Sequence, residues 1–307
     1  MKIGLIDVDG HNFPNLALMK LSAWHKQQGD RVEWYEPLLG GHYDKVYMSK
    51  VFSFTPDYEY PVNADQVVKG GTGYNIQLVD GKEVYTKDKE LIYPVEHIMP
   101  DYSIYGITDT AYGFMTRGCP RGCEFCIVKE KEGCGETVAP LSEFWNGQKN
   151  IVLLDPNFFC VKDWKANAQQ LIDSKAYVNF CQGIDMRVMT KEKAQAVRQM
   201  KIKRIHCAWD QYQDKDIFLP KLKEFMNVTN YSTKHGYVTV YVLVNFDTTL
   251  AQDLERIYTI RDLGAHPYVM IYNKEGLPKR HTLRRLQRWC NNRFIFKSTT
   301  TFEEYRG

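Results

Sequence analysis

Three cysteines fall within the stretch Cys119-Pro120-Arg121-Gly122-Cys123-Glu124-Phe125-Cys126, giving the spacing CxxxCxxC. Thiolates are soft ligands that hold zinc or iron–sulfur clusters, and a cluster usually takes four of them. Three thiolates converging on a cubane of four irons leave one iron without a protein ligand, a position that a substrate or cofactor can fill. The same logic separates catalytic zinc sites, which keep an open position, from closed structural ones. The competing reading closes the site with Cys134 as a fourth ligand, as structural zinc or a closed iron–sulfur centre. Cx3Cx2C is not a usual zinc spacing, which favours the open cluster.

The elements that must position this loop are legible from the hydrophobic pattern. The loop opens after the apolar run Tyr112 to Thr116, in a turn rich in Gly and Pro. From there strands and helices alternate. Strands are expected at Tyr112 to Thr116, Asn150 to Asp155, Tyr177 to Ile184, Arg204 to Trp209, Tyr237 to Asn245 and Pro267 to Tyr272. Helices are expected near Leu141 to Trp145, Trp164 to Ser174, Lys191 to Met200, Asp216 to Met226 and Thr249 to Leu263. Six βα-type units without tandem repeats predict a parallel sheet curled into a barrel.

In β/α barrels the working residues sit at the carboxyl ends of the strands. Here those ends carry polar groups that break apolar runs. They are Asp155-Pro156-Asn157-Phe158, then Gln182-Gly183-Ile184-Asp185-Met186-Arg187, then Asp210, then Asn245-Phe246, and last Tyr272-Asn273. Each has a plainer alternative. Asp155 and Asn157 suit an Asx turn that starts a helix. Arg187 suits a salt bridge to Asp185 or Asp210, and Tyr272 suits packing.

Ahead of these units, Lys2 to Val8 reads as a strand buried on both faces, followed by a turn that Asp9 and His11 shape and a helix from Asn15 to Gly29 that they would cap, unless His11 binds a ligand. Arg31 to Tyr35, Lys45 to Phe52 and Gln66 to Lys69 are the next strands, the last ending in Gly70-Gly71. This pattern predicts a small doubly wound sheet. Only nine residues separate Tyr35 from Lys45, fewer than a parallel crossover usually needs, so the domain reads as trimmed. A connector follows, with a hairpin of Ile76 to Val79 and Glu83 to Thr86 around Asp80-Gly81.

Composition narrows the function classes. The chain has 307 residues, 44% hydrophobic and 25% charged, as in ordinary globular proteins. Its net charge of +3 is too small to imply a nucleic-acid partner for the whole protein. No apolar run approaches the roughly 20 residues that span a bilayer. MKIGLIDVDG meets Asp7 and Asp9 too early for a signal peptide, so a cytoplasmic location is expected. All eight cysteines lie at or after Cys119 and argue for metal or thiol chemistry rather than disulfides. Cys160, Cys181, Cys207 and Cys290 read as small buried hydrophobes. Residues 279 to 297 hold Lys279, Arg280, Arg284, Arg285, Arg288, Arg293 and Lys297 with no acidic residue. Leu283, Leu286 and Trp289 share one helical face, which leaves the arginines on the solvated face or against a phosphate or nucleic acid.

With these residues in view, the cysteine loop resembles the cluster motif of the radical S-adenosylmethionine (SAM) superfamily, down to Phe125 before the third cysteine. The words MTRGCPRGCEFC look like its cobalamin-associated branch. Asp9-Gly10-His11-Asn12-Phe13-Pro14, Ser49-Lys50-Val51 and Gly70-Gly71 resemble the hallmark words of cobalamin-binding domains, with Pro14 in place of Gly and Val51 in place of Leu. The resemblance implies an α/β fold: a partial (β/α)6 TIM-like radical SAM barrel behind a trimmed Rossmann-like, cobalamin-binding-like domain. The boundaries it implies are 1–75 for that domain, 76–110 for the connector, 111–275 for the barrel and 276–307 for the basic helix and tail.

The resemblance also implies roles. Cys119, Cys123 and Cys126 ligate a 4Fe–4S cluster. SAM is held near Phe125, by Asp155 and Asn157 at its amino group, by Gln182 and Arg187 at the third strand end, by Asp210 at the ribose and by backbone at Asn245. The implied reaction is reductive cleavage of SAM to a 5′-deoxyadenosyl radical that abstracts hydrogen from a substrate. An electron donor such as flavodoxin or ferredoxin is implied as a partner, and His11 is a lower axial cobalt ligand if cobalamin binds. Two alternatives stand beside this: a cobalamin-dependent radical SAM methyltransferase, and a metal-stabilised nucleic-acid-binding protein without SAM chemistry.

Overall fold

The apolar start of the chain forms a strand because its side chains are buried on both faces of a sheet, with Ile3 and Leu5 at most 1% exposed. The structure is a computed structural model that describes residues 1–79, 82–86, 91–231 and 238–306. Two compact units make it up, Met1–Ile151 and Val152–Gly307.

In the first unit β1 (Lys2–Asp7) lies between β2 (Arg31–Trp34) and β3 (Tyr43–Ser49), and β4 (Ala64–Gly70) adds to β3, all in parallel. Helix α1 (Leu16–Gln27) starts where the Asn15 side chain accepts from the Leu18 amide at 3.2 Å. The cap is therefore Asn15, and the turn residues Asp9 and His11 are used otherwise. Leu18 packs with Ile3 and Leu5 on one face of the sheet. Burial of each such side chain contributes about 1.5–3 kcal/mol. The other face, with Ile6, Tyr43, Val46 and Met48, is covered by Tyr58 and Val62 of the β3–β4 connection rather than by a second helix. The short β2–β3 link thus crosses β1 without a helix. One-turn α2 (Thr72–Asn75) leads to β5 (Ile76–Val79), which pairs antiparallel with β6 (Lys82–Tyr85). The hairpin turn at Asp80-Gly81 lies outside the described residues. Another single turn, α3 (Tyr93–Glu96), follows.

The expected strand from Tyr112 to Thr116 is instead two pieces, β7 (Thr110–Gly113) and β8 (Thr116–Arg117). β8 pairs antiparallel with β9 (Glu136–Thr137) around a loop that contains α4 (Val128–Glu132). Two-sided pairing explains the split, because β8 is needed to close the loop. The expected helix at Leu141 is a single 3-10 turn, Leu141–Glu143. β10 (Asn150–Leu153) then runs into the second unit.

There the alternation is regular: α5 (Trp164–Ser174), β11 (Tyr177–Phe180), α6 (Lys191–Gln199), β12 (Lys201–Ile202), β13 (Ile205–Ala208), α7 (Lys215–Thr229), β14 (Val238–Val244), α8 (Leu250–Asp262) and β15 (His266–Ile271). Every pairing described among these strands is parallel. β13, β14 and β15 form one sheet, and a parallel bridge from Ile184 to Cys207 joins it to the end of β11. Helices α9 (Thr282–Asn291) and α10 (Arg293–Ser298) close the chain, and Leu286 and Trp289 of α9 are fully buried. Asn291 and Gln287 of α9 bond the backbone of Val269 at the outer edge of β15.

Parallel sheets are usually covered on both faces. Among the described residues β13–β15 is covered on one face, where Cys207, Val240, Val242 and Val269 are buried, while Tyr268 is 38% and Met270 47% exposed on the other. An uncovered inner face in a βα sheet leaves room for a ligand.

Candidate functional site

The cysteine loop is pinned by backbone. The β8–β9 pair closes it at Thr116↔Thr137 and Arg117↔Glu136, and the Cys119 amide donates to Gly133 O at 3.0 Å. Gly118 sits at φ +80°, and a Cβ there would lie 2.4 Å from Cys134 O, so only glycine lets the two ends of the loop approach. Arg117 fastens the base, with its guanidinium 3.0 Å from Glu96 and 3.5 Å from Glu132 and stacked 4.0 Å over Phe114. Within the loop the Cys126 amide donates to Cys123 O at 3.0 Å, a tight turn that keeps these two cysteines adjacent. Cys119, Cys123 and Phe125 are partly buried, and Cys126 and Cys134 are exposed. Among the described residues no three His, Cys, Asp or Glu side chains are already drawn together in a metal-site arrangement. The donor chemistry nonetheless suits an iron–sulfur cluster, with three soft thiols on one loop held at both ends.

The second unit gathers polar groups at the carboxyl ends of its strands. Asp155 and Asn157 follow β10 and are each 3% exposed. The Asn157 amide donates to Asp185 at 3.3 Å. Arg187 takes the ion pair that its sequence offered as an alternative, reaching Asp185 at 2.8 Å, and its second partner is Asp214 at 2.9 Å rather than Asp210. These two carboxylates hold the guanidinium well above the usual range for arginine, against the opposing effect of burial. Asn157, Asp185, Arg187 and Asp214 thus form one hydrogen-bonded chain. Asn245 adopts φ +69°, a left-handed conformation that Asn tolerates, and donates to Tyr272 O at 2.8 Å.

Gln182 and Asp210 line one cavity of about 460 Å³, together with Cys181, Tyr241, Tyr268 and Met270. That volume is within the range of small-molecule sites. The sequence pointed to Gln182 and Asp210, while Tyr241, Tyr268 and Met270 read there as ordinary strand residues. Their signal is visible only once the sheet's inner face is known to be open. Cys181 is a correction: it is partly exposed and lines the cavity, as Cys160 is also partly exposed, whereas Cys207 and Cys290 are buried as expected. Tyr272 is 41% exposed, packs edge-on against Phe246 and does not line the cavity.

A further feature is Arg256 of α8, which is fully buried. Its guanidinium donates to Trp209 O, Asp210 O and Leu243 O at 2.7–2.8 Å and pairs with Asp253 at 2.6 Å. It ties the ends of β13 and β14 together directly behind Asp210.

Burial pushes the Asp210 carboxyl up to about 6, although Arg256 and Arg187 pull it down. A carboxyl raised above its ordinary value of 3.8 contributes most to stability when protonated, and that contribution is lost as pH rises through 6. Asp210→Asn is therefore expected to stabilise the ligand-free protein at pH 8 by about 1–2 kcal/mol, allowing for partial exposure. In urea titrations the gain should shrink as pH is lowered from 7 toward 4. A gain that does not vary with pH would place its origin elsewhere.

At the carboxyl end of the first unit's sheet, Asp9 accepts from the Val51 amide at 2.5 Å and the Thr55 hydroxyl at 2.6 Å. Ser49 accepts from Asn15 at 2.8 Å, and His11 packs 4.2 Å from Trp34. Gly71 stands at φ +96°, where a Cβ would lie 2.4 Å from Lys50 O.

No protein-family model and no curated protein sequence matches the chain. A solved structure does: the radical S-adenosylmethionine methyltransferase TsrM from Kitasatospora setae, with cobalamin and a [4Fe–4S] cluster bound. The TM-score is 0.59 over 88% of this chain and 74% of that chain, at 10% identity. In fold, this α/β chain with its parallel sheets is similar to that enzyme.

Proposed function

We propose that the chain is a radical SAM enzyme. The observation that carries the reading is the backbone-pinned loop with Cys119, Cys123 and Cys126, on a chain whose second unit has an open cavity at its strand ends. The three thiolates would hold a 4Fe–4S cluster, which when bound supplies one electron for cleavage of the C5′–S bond of SAM. The chemistry it would supply is release of methionine and abstraction of a hydrogen atom from the substrate. The barrel fold, a partial (β/α)6 arrangement, and the domain limits set out from the sequence belong to this proposal.

The chain's own residues bind and orient. Asp155 and Asn157 accept from the SAM amino group, Gln182 and Asp210 meet its polar groups in the cavity, and the Asn245 backbone supports the adenine. Phe125 directly precedes the third cysteine and is assigned a place beside SAM. Arg187 keeps the third strand end charged and ordered through Asp185 and Asp214, and its assigned contact is the SAM carboxylate. The electron comes from a small redox protein such as a flavodoxin or ferredoxin.

The TsrM structure holds cobalamin, and a cobalamin-dependent methyltransferase is the second form of this proposal. In the first unit Asp9 is bound to Val51 and Thr55 and the His11 ring lies against Trp34, and no step is routed through cobalamin. Uptake of a corrinoid by the purified protein would favour the methyltransferase form.

Anaerobic reconstitution is expected to load about four irons and four sulfides per chain. Dithionite plus SAM should then release 5′-deoxyadenosine. A tightly bound zinc, with no deoxyadenosine, would refute the reading.

A further inference from the structure

A second cleft, of about 520 Å³, adjoins the cavity, with Tyr268 lining both. Lys274, Arg284, Gln287, Arg288 and Asn291 line it with Tyr268. Three of these are cations and no carboxylate is among the lining residues. Among the described residues none of the three cations has a carboxylate within ion-pair distance. Arg284 is nevertheless fixed in place, donating to Lys274 O at 2.7 Å and to Leu277 O at 2.9 Å. Gln287 and Asn291 are held by Val269 at the edge of β15.

Like charges gathered in one cleft repel one another, and the arrangement lacks an internal anion to offset them. A guanidinium already held by neutral carbonyls keeps its full charge and loses little freedom when an anion arrives. From these features we infer that the cleft anchors an oxyanion, carboxylate or phosphate, on the substrate. The substrate is then a small molecule whose anionic end sits against Lys274, Arg284 and Arg288 and whose reacting end reaches past Tyr268 toward the cavity. Tyr268 is a positioning residue in this scheme. Arg285, the next residue of the helix, is bound to Tyr305 O and stacked on Phe302. A nucleic-acid surface is the competing outcome of the test.

The inference rests on the SAM reading for the role of the oxyanion, but anion binding can be measured without the cluster. Titration calorimetry of the full chain with pyrophosphate and with glutarate separates a phosphate from a carboxylate source. At least one of them is expected to bind. Lys274→Glu with Arg288→Glu should weaken that binding about a hundredfold, with the fold checked by circular dichroism. Arg288→Lys, which keeps the charge, should fall between the two and remains informative if the double variant does not fold. Failure of both probes to bind the wild type overturns the inference, as does equal binding by the variants. Binding of a single-stranded oligonucleotide that pyrophosphate does not displace overturns it in favour of a nucleic acid. Pyrophosphate or glutarate binding without deoxyadenosine formation would sink the enzyme reading and leave the anion cleft standing. Deoxyadenosine formation without binding of either probe would do the reverse.

Discussion

Replacing Cys119, Cys123 or Cys126 with alanine is expected to cut reconstituted iron from about four to below about one per chain and to abolish deoxyadenosine release. Each thiolate supplies a third of the protein's hold on the proposed cluster, and nothing else on the loop offers a soft donor except Cys134. Cys134→Ala is expected to leave both iron content and deoxyadenosine at the wild-type level. The comparison is clean because backbone contacts close the loop. The Cys119 amide meets Gly133 O and the β8–β9 pair holds at both ends, and alanine preserves all of these. Iron analysis and product assay of the four single variants decide the matter. If Cys134→Ala loses iron as fully as the other three, the site is a closed four-cysteine centre and no iron is left for SAM.

The second large effect is expected at Arg256. Arg256→Met should destabilise the protein by about 3–5 kcal/mol, since it leaves the buried Asp253 carboxylate without its partner and three carbonyls without a donor. Against a usual total of about 5–15 kcal/mol, that is a large share. Chemical denaturation followed by circular dichroism measures it. Arg256→Lys should recover little, because one ammonium cannot span the carbonyls of Trp209, Asp210 and Leu243 as a planar fork does. Full rescue by lysine would mean that charge alone matters there. A lesion at Arg256 should also loosen the strand end that carries Asp210, so SAM binding is expected to weaken even in the folded fraction.

How much of this was legible beforehand follows from the range of each interaction. The strands and helices of the second unit were readable, Trp164–Ser174 to the residue, because apolar periodicity is local. The cysteine triplet stood out because its three members are neighbours in sequence, and the structure closes them in one loop. The split between β7 and β8 was not, because it depends on pairing between Thr116 and Thr137. The first helix was readable from Asn15, but its cap was assigned to the turn residues Asp9 and His11, because a cap's hydrogen bond is seen only in the fold. At the strand ends Gln182 and Asp210 were readable as polar breaks in apolar runs. Tyr241, Tyr268 and Met270 were not, since an inner face and an outer face read alike in a βα strand. Arg256 was invisible for a different reason. An arginine on an amphipathic helix reads as solvated, and only the carbonyls at the ends of β13 and β14 show that it is core.

The contacts of Asn291 and Gln287 with Val269 have a consequence for solubility. β15 is an edge strand, and an edge with unmet amides and carbonyls recruits other chains. Here the Val269 amide is met by Asn291 at 2.7 Å, and its carbonyl by Asn291 and Gln287 at 3.0 and 3.1 Å. Two side chains of α9 thus stand in for a neighbouring strand. An approaching β-segment finds the middle of that edge already taken, and the helix that carries the basic cleft also guards the sheet against self-association.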